Sequence, residues 1–127
     1  KLLPGIKIYG LDISKYAIQK SKKEIKKYIK FGNAIKLPYR SNYFDLVFSI
    51  NTLHNLDLEN LFKSLKEISR VTKKNAYICV ESYRNEIEKT NLLYWQVTCE
   101  AFFSPLEWKW IFKQTGYKGD YSFIYFN

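Results

Sequence analysis

The chain has 127 residues, 46% of them hydrophobic and 18% aromatic, and its 21 basic and 12 acidic side chains leave a net charge of +9. That is the length of one domain with apolar material for a core, which excludes a disordered chain. No apolar run approaches the ~20 residues that cross a bilayer as a helix.

Lys1-Leu2-Leu3-Pro4-Gly5 leads into residues 6–11, which are apolar enough for a strand. The sequence contains no methionine, and the N-terminal part of a larger domain is expected before Lys1. Asp12-Ile13-Ser14 comes next, with Ser14 placed to cap a helix. In that lysine-rich helix, residues 15–30 hold seven lysines against Glu24, a net six of the nine charges. Its apolar positions (Ala17, Ile18, Ile25, Tyr28, Ile29) turn the lysines outward. It holds no arginine, and it is not expected to offer the interleaved aromatics of nucleic-acid surfaces. A solvated lysine face is the expectation, with a polyanion-binding surface as the alternative.

A short strand at residues 29–31 leads into Gly32-Asn33-Ala34 and a loop through Leu37-Pro38-Tyr39. Residues 44–50 are then apolar apart from Asp45 and Ser49, and read as a strand buried on both faces. Small polar residues follow it (Ser49, Asn51, Thr52), then the sole histidine, His54. Asp57 sits at the N-cap of a helix whose stripe is Leu58, Leu61, Phe62, Leu65 and Ile68, ending near Val71. Thr72-Lys73-Lys74-Asn75 is expected to turn the chain into a strand at residues 76–82.

Beyond it, residues 86–100 have helical character. Ser104-Pro105-Leu106-Glu107 combines a Ser cap, Pro at the first position and Glu at the third, a capping box. Trp108, Ile111 and Phe112 form the apolar face of that helix, while Trp110 falls off the stripe and is the aromatic expected to face a ligand. Gly116 is placed to end the helix, and residues 121–126 close the chain as a strand. The two cysteines, Cys79 and Cys99, are too few for a disulfide framework, so a reduced, cytoplasmic setting is expected. A single histidine and no CxxC argue against a structural zinc site.

Gly10-Leu11-Asp12-Ile13-Ser14, Gly32-Asn33-Ala34 with Leu37-Pro38-Tyr39, and Phe44-Asp45-Leu46-Val47 with Leu53-His54-Asn55-Leu56 resemble successive motifs of class I S-adenosylmethionine-dependent methyltransferases. Order and spacing both agree, over residues 6–82. The resemblance implies a Rossmann-like α/β fold: a mostly parallel sheet, helices on both faces and an antiparallel C-terminal strand. It also implies S-adenosylmethionine as cofactor and a methyl-acceptor substrate, expected to be a small molecule. The family's first motif, a strand and glycine-rich turn, has no counterpart in residues 1–127. It is expected before Lys1, its strand lying between the strands at residues 6–11 and 44–50.

Residue by residue, the resemblance places Asp12 at the ribose hydroxyls and Ile13 on the adenine face. Asn33 stands where the family has Asp, and would meet the adenine amino group through its amide oxygen; Ala34 would offer its backbone N–H to the ring. Ser49, Ile50 and Asn51 would lie along the methionine arm. Each has a plainer reading: a turn or cap aspartate for Asp12, a loop asparagine for Asn33. His54 has the intrinsic pKa of a general base, or else packs at the helix start. Glu81 and Tyr83 are further candidates for the acceptor site. Two other classes compete: a nicotinamide-dependent Rossmann enzyme, and a non-catalytic module that binds RNA through its basic face. The former would not predict the Gly32-Asn33-Ala34 loop or an antiparallel last strand.

Overall fold

The computed structural model describes residues 4–127; of the lead-in segment, Lys1, Leu2 and Leu3 lie outside the described residues. The chain runs β1 (Gly10–Asp12), α1 (Lys15–Lys20), α2 (Lys23–Lys26), β2 (Ile29–Phe31), β3 (Phe44–Ile50), a 3-10 turn (Leu53–Asn55), α3 (Leu58–Val71), β4 (Thr72–Glu81), α4 (Glu86–Trp95), α5 (Pro105–Thr115) and β5 (Asp120–Ile124). It is an α/β fold with two parallel sheets, β1-β2 and β3-β4-β5.

The last strand corrects an expectation: β5 runs parallel to β4, with Tyr77 opposite Asp120 and Glu81 opposite Ile124. The chain between them passes through α4 and α5, and a helical crossover returns it to the end from which β4 started. An antiparallel partner needs only a short turn, which this connection is not. The terminal strand therefore no longer separates the methyltransferase reading from a nicotinamide enzyme.

Local signals placed most of the other elements. Asp57 caps α3 by accepting from the Asn60 N–H at 2.8 Å, and Ser14 caps α1 by accepting from the Ala17 N–H at 3.1 Å. Both halves of the Ser104–Glu107 capping box are formed, and Gly116 ends α5 in the left-handed region at φ 73°. The lysine-rich helix, in contrast, breaks at Ser21, whose hydroxyl donates to the Ile18 carbonyl, leaving two short helices. The helix expected over residues 86–100 stops at Trp95.

The expected turn at Thr72-Lys73-Lys74-Asn75 is instead the start of β4, which leaves α3 directly. An extra residue there, between the pairs Phe44–Thr72 and Leu46–Asn75, makes a bulge. Only Gly10 and Leu11 of residues 6–11 are in β1; Ile6 and Ile8 are exposed and unpaired.

The core lies between the β3-β4-β5 sheet and the helices α3 and α5, around Leu61, Leu65, Ile78, Val80, Trp108 and Phe112. It covers one face of β3 only. Val47 packs against it, whereas Leu46, Phe48 and Ile50 are 58%, 66% and 52% exposed, so the expectation of a strand buried on both faces is overturned. No described element covers that side of β3. The two sheets meet at their amino ends, where the Tyr9 ring lies 5.4 Å from Phe44 and its hydroxyl 3.1 Å from that of Tyr43. β1 and β3 are not hydrogen-bonded to each other, and it is between them that the sequence expectation puts a further strand.

Candidate active site

Parallel sheets carry their ligands outside the carboxyl ends of the strands, and the residues singled out by sequence sit there. Asp12 is the last residue of β1, half-buried in the strand end, not in an exposed loop. Its Oδ1 accepts from the Ser14 N–H at 2.8 Å, the turn role that the plainer reading assigns. Oδ2 takes no hydrogen bond from the described residues. Ile13, immediately after it, is 62% exposed.

The loop after β2 is joined directly to this point: the Gly32 N–H donates to the Asp12 carbonyl at 3.0 Å. A Cβ at Gly32 would lie 2.7 Å from Leu11 Cδ1, which is why the position suits glycine. Asn33 uses its Oδ1 to accept from the Ile35 N–H at 3.1 Å, again a local turn, and the second lone pair of that oxygen is left for a ligand. Ala34 is half-buried beside it. The loop is tied to α3 through Glu67, which accepts from the Leu37 N–H at 2.7 Å, and through Arg70, which donates to the carbonyls of Tyr39 and Leu37. The Arg70 guanidinium holds the Glu67 carboxyl below the usual range.

Ser49 is half-buried and Ile50 exposed at the end of β3. Asn51 follows at φ 53°, its N–H donating to the Cys79 carbonyl at 3.0 Å. That left-handed conformation is one asparagine tolerates. The structure thus brings Asp12, Ile13, Asn33 and Ala34 together at the β1-β2 end, and sets Ser49, Ile50 and Asn51 at the β3 end.

His54 is different, being 2% exposed. Its carbonyl accepts from the N–H groups of Glu100 and Ala101, both at 2.9 Å, and its Nδ1 receives the Glu81 N–H at 3.4 Å. With Nδ1 as acceptor, the proton of the neutral ring belongs on Nε2, 3.4 Å from Glu81 Oε2. That distance is too long for a strong hydrogen bond, and Oε2 has no other partner among the described residues. Glu81 Oε1 is held by the Gln96 side-chain amide at 2.6 Å. Burial pushes the His54 pKa below its ordinary 6.5, and burial pushes Glu81 up, opposed by the Gln96 bond.

This arrangement clamps the segment after α4 onto the carboxyl ends of β3 and β4. Thr98 adds a bond to Asn55 at 3.0 Å, and the Trp108 indole N–H donates to the Glu81 carbonyl at 3.2 Å. The imidazole is thus buried, with Glu81 as the partner of both its ring nitrogens. Sequence reasoning missed Gln96, Thr98 and Asn55, since their partners lie far away along the chain. Trp110 is 58% exposed, whereas Trp108 is fully buried.

The pH dependence of stability follows. A folded pKa below 6.5 means that the unfolded chain binds the His54 proton more readily, so stability is lost as pH falls below about 6.5. Glu81, with its pKa raised above 4.5, contributes in the opposite sense: its share is lost as pH rises above 4.5. His54→Gln should remove the first dependence and leave the second. Thermal melts of both proteins across this range check it; parallel curves would contradict the burial.

Both cysteines are free and buried. Burial, with the nearby Glu81 carboxyl, pushes the Cys99 thiol up to about 11, so it carries no thiolate at neutral pH. Neither thiol should react with a disulfide reagent in the folded protein, and both should react in denaturant. Rapid labelling of the native chain would contradict this.

Comparison with known proteins identifies the family. A family model described as a methyltransferase domain matches residues 1–80. A tRNA (carboxymethyluridine(34)-5-O)-methyltransferase of Arabidopsis thaliana is 32% identical over 93 residues, 72% of this chain and 23% of that protein. An uncharacterized protein of Haemophilus influenzae is 27% identical over 126 residues, 90% of this chain and 50% of its own length. The chain therefore spans half or less of these relatives.

Among solved structures, the YcgJ protein of Bacillus subtilis superposes with a TM-score of 0.64 at 19% identity, covering 84% of this chain and 50% of the other. A chain of the complex between the Haloferax volcanii Trm112 methyltransferase activator and the putative methyltransferase gives 0.66 at 20%, covering 85% and 49%. These two likenesses concern the fold. No helix among the described residues is long and apolar enough to cross a membrane. With the family model matching more than half of its length, the chain belongs to the methyltransferase-domain family, the one its motifs resemble.

Proposed function

We propose that the protein carrying this chain binds S-adenosylmethionine at the carboxyl ends of β1, β2 and β3 and transfers its methyl group to an acceptor held beside β3 and β4. The observation that carries this is the junction of Asp12 with the Gly32-Asn33-Ala34 loop. It sets a half-buried carboxylate with a spare oxygen next to an amide oxygen with a spare lone pair. That pair fits an adenosyl group: Asp12 would hold the ribose hydroxyls, Ile13 would cover the ring, and Asn33 and Ala34 would meet its edge. Ser49, Ile50 and Asn51 would line the methionine arm.

When bound, S-adenosylmethionine supplies a methyl group on a sulfonium whose leaving group is a neutral thioether. Such chemistry asks the protein mainly for alignment. Asp12 and Asn33 orient the adenosyl end. The clamp of His54, Glu81 and Gln96 holds the segment after α4 across the acceptor end. His54 acts by positioning. His54→Ala leaves the buried Glu81 N–H without its acceptor, at about 1–3 kcal/mol of stability. It should lower the melting temperature while cofactor affinity holds, and a lost turnover in a fully folded variant would restore the general-base reading.

The expectation of a small-molecule acceptor rested on treating the lysines as solvated. The rings of Tyr16 and Phe31, exposed among those lysines, favour an RNA acceptor as the second reading. Calorimetric titration of the full-length protein tests the cofactor assignment. S-adenosylmethionine should bind with NAD failing to compete, and tight NAD binding in its place would support the nicotinamide enzyme.

A further inference from the structure

We propose that the lysine face formed by α1, α2 and β2 binds the phosphate backbone of single-stranded RNA, naming RNA as the acceptor class. The naming rests on the methyl-transfer reading; the binding does not. All seven lysines of residues 15–30 are exposed, and Glu24 is the single acid among them. None takes part in the ion pairs of the described residues, which use Lys63, Lys74, Arg70, Arg84 and His54. Two-thirds of the net charge is thus gathered, exposed and without ion pairs, in sixteen consecutive residues, and a polyanion that releases its counterions there is the complementary ligand.

Folding sets aromatic rings beside these lysines. Lys15 Nζ lies 4.9 Å from the centre of the Phe31 ring, Lys20 Nζ 5.8 Å from Tyr16, and Lys27 Nζ 5.0 Å from Tyr28. Tyr16 is 69% exposed and Phe31 57%. Ammonium groups beside open rings offer a phosphate and its base their two kinds of contact at once, pairing and stacking. The face also starts at the candidate site, since Phe31 pairs with Asp12 across β1-β2 and Lys15 opens the helix capped by Ser14. A strand of RNA lying on it ends at the carboxyl ends of the strands. A membrane surface fits less well, because helices of six and four residues cannot present the continuous apolar face of an interfacial helix.

The test uses the full-length protein and a fluorescent oligouridylate, titrated from about 50 to about 200 mM salt. Four to five phosphate contacts predict a slope of about −3 in log affinity against log salt. Combined alanines at Lys20, Lys22, Lys23 and Lys27 should flatten that slope and weaken binding at least about tenfold. The same number of alanines at the exposed Lys66, Lys73, Lys109 and Lys113 should leave the slope nearly unchanged. Phe31→Ala should weaken binding about fivefold or more at every salt concentration, with the slope intact, as loss of stacking requires.

Equal weakening by the two lysine sets would overturn the proposal, since charge alone, and not this face, would be responsible. So would lysine-dependent binding to phosphatidylglycerol vesicles with none to the oligonucleotide. S-adenosylmethionine titrated calorimetrically into the same proteins keeps the two readings apart. Cofactor binding with no RNA binding sinks this inference alone. RNA binding through this face with no cofactor binding upholds the surface and sinks the transferase reading.

Discussion

Trp108→Ala should destabilise the chain by about 3–5 kcal/mol, the largest effect of any single substitution considered. The side chain is fully buried at the centre of the core, 5.5 Å edge-on to Phe103 and 5.8 Å from the stacked ring of Phe112. Its indole N–H also satisfies the Glu81 carbonyl at the end of β4. Alanine leaves a cavity and an orphaned acceptor together. Against a total stability of about 5–15 kcal/mol, the loss would leave a substantial unfolded fraction under mild denaturant. Trp110→Ala provides the comparison, since its ring lies outward on the same helix and its removal should cost no more than about 0.5 kcal/mol. Urea unfolding followed by circular dichroism separates them, and equal midpoints would mean that α5 presents a different face to the core.

The second large effect concerns binding. On the proposed assignment, Asp12→Ala in the full-length protein would remove two charge-assisted hydrogen bonds to the ribose, each worth about 1.5–3 kcal/mol, with water recovering part of the loss. A net cost in that range lowers cofactor affinity about tenfold to a hundredfold. Because Oδ1 also holds the Ser14 N–H, alanine loosens the turn into α1 as well. Asp12→Asn keeps an acceptor for that turn and removes the charge, so a loss of affinity in both variants with an unchanged melting temperature in the second isolates the ribose contact. Undiminished affinity in both would withdraw the whole assignment from Asp12 to Ala34.

What could be read from the residues was what neighbours in sequence decide. The capping box at Ser104 and Glu107, the left-handed stop at Gly116 and the Asp57 cap each close within a few residues, and all are as the sequence implied. The bounds of β3 followed from one apolar run. The direction of β5 depends instead on where a long crossover returns the chain, which no local pattern encodes. The open face of Leu46, Phe48 and Ile50 has the same cause: composition says that a strand is apolar, not which of its sides finds a cover.

Asp12 and Asn33 could be singled out as candidates because each stands at or just past a strand end in a short motif, and their turn bonds are local as well. The buried clamp was not visible. Gln96 reaches back 15 residues to Glu81, and Thr98 reaches 43 to Asn55. Of the rings beside the lysines, Tyr16 and Tyr28 lie in the lysine-rich stretch itself and were there to be read, whereas Phe31 belongs to the next strand and joins them only when β2 pairs with β1.

A structure of the full-length protein bound to S-adenosylhomocysteine tests the central claim most directly. The account predicts both ribose hydroxyls within hydrogen-bonding distance of the Asp12 carboxylate, the adenine between Ile13 and the Asn33–Ala34 loop, and the thioether beside Ser49, Ile50 and Asn51. An adenosyl group bound anywhere else, such as the groove between Asn75 and Gly119 at the amino ends of β4 and β5, would contradict it.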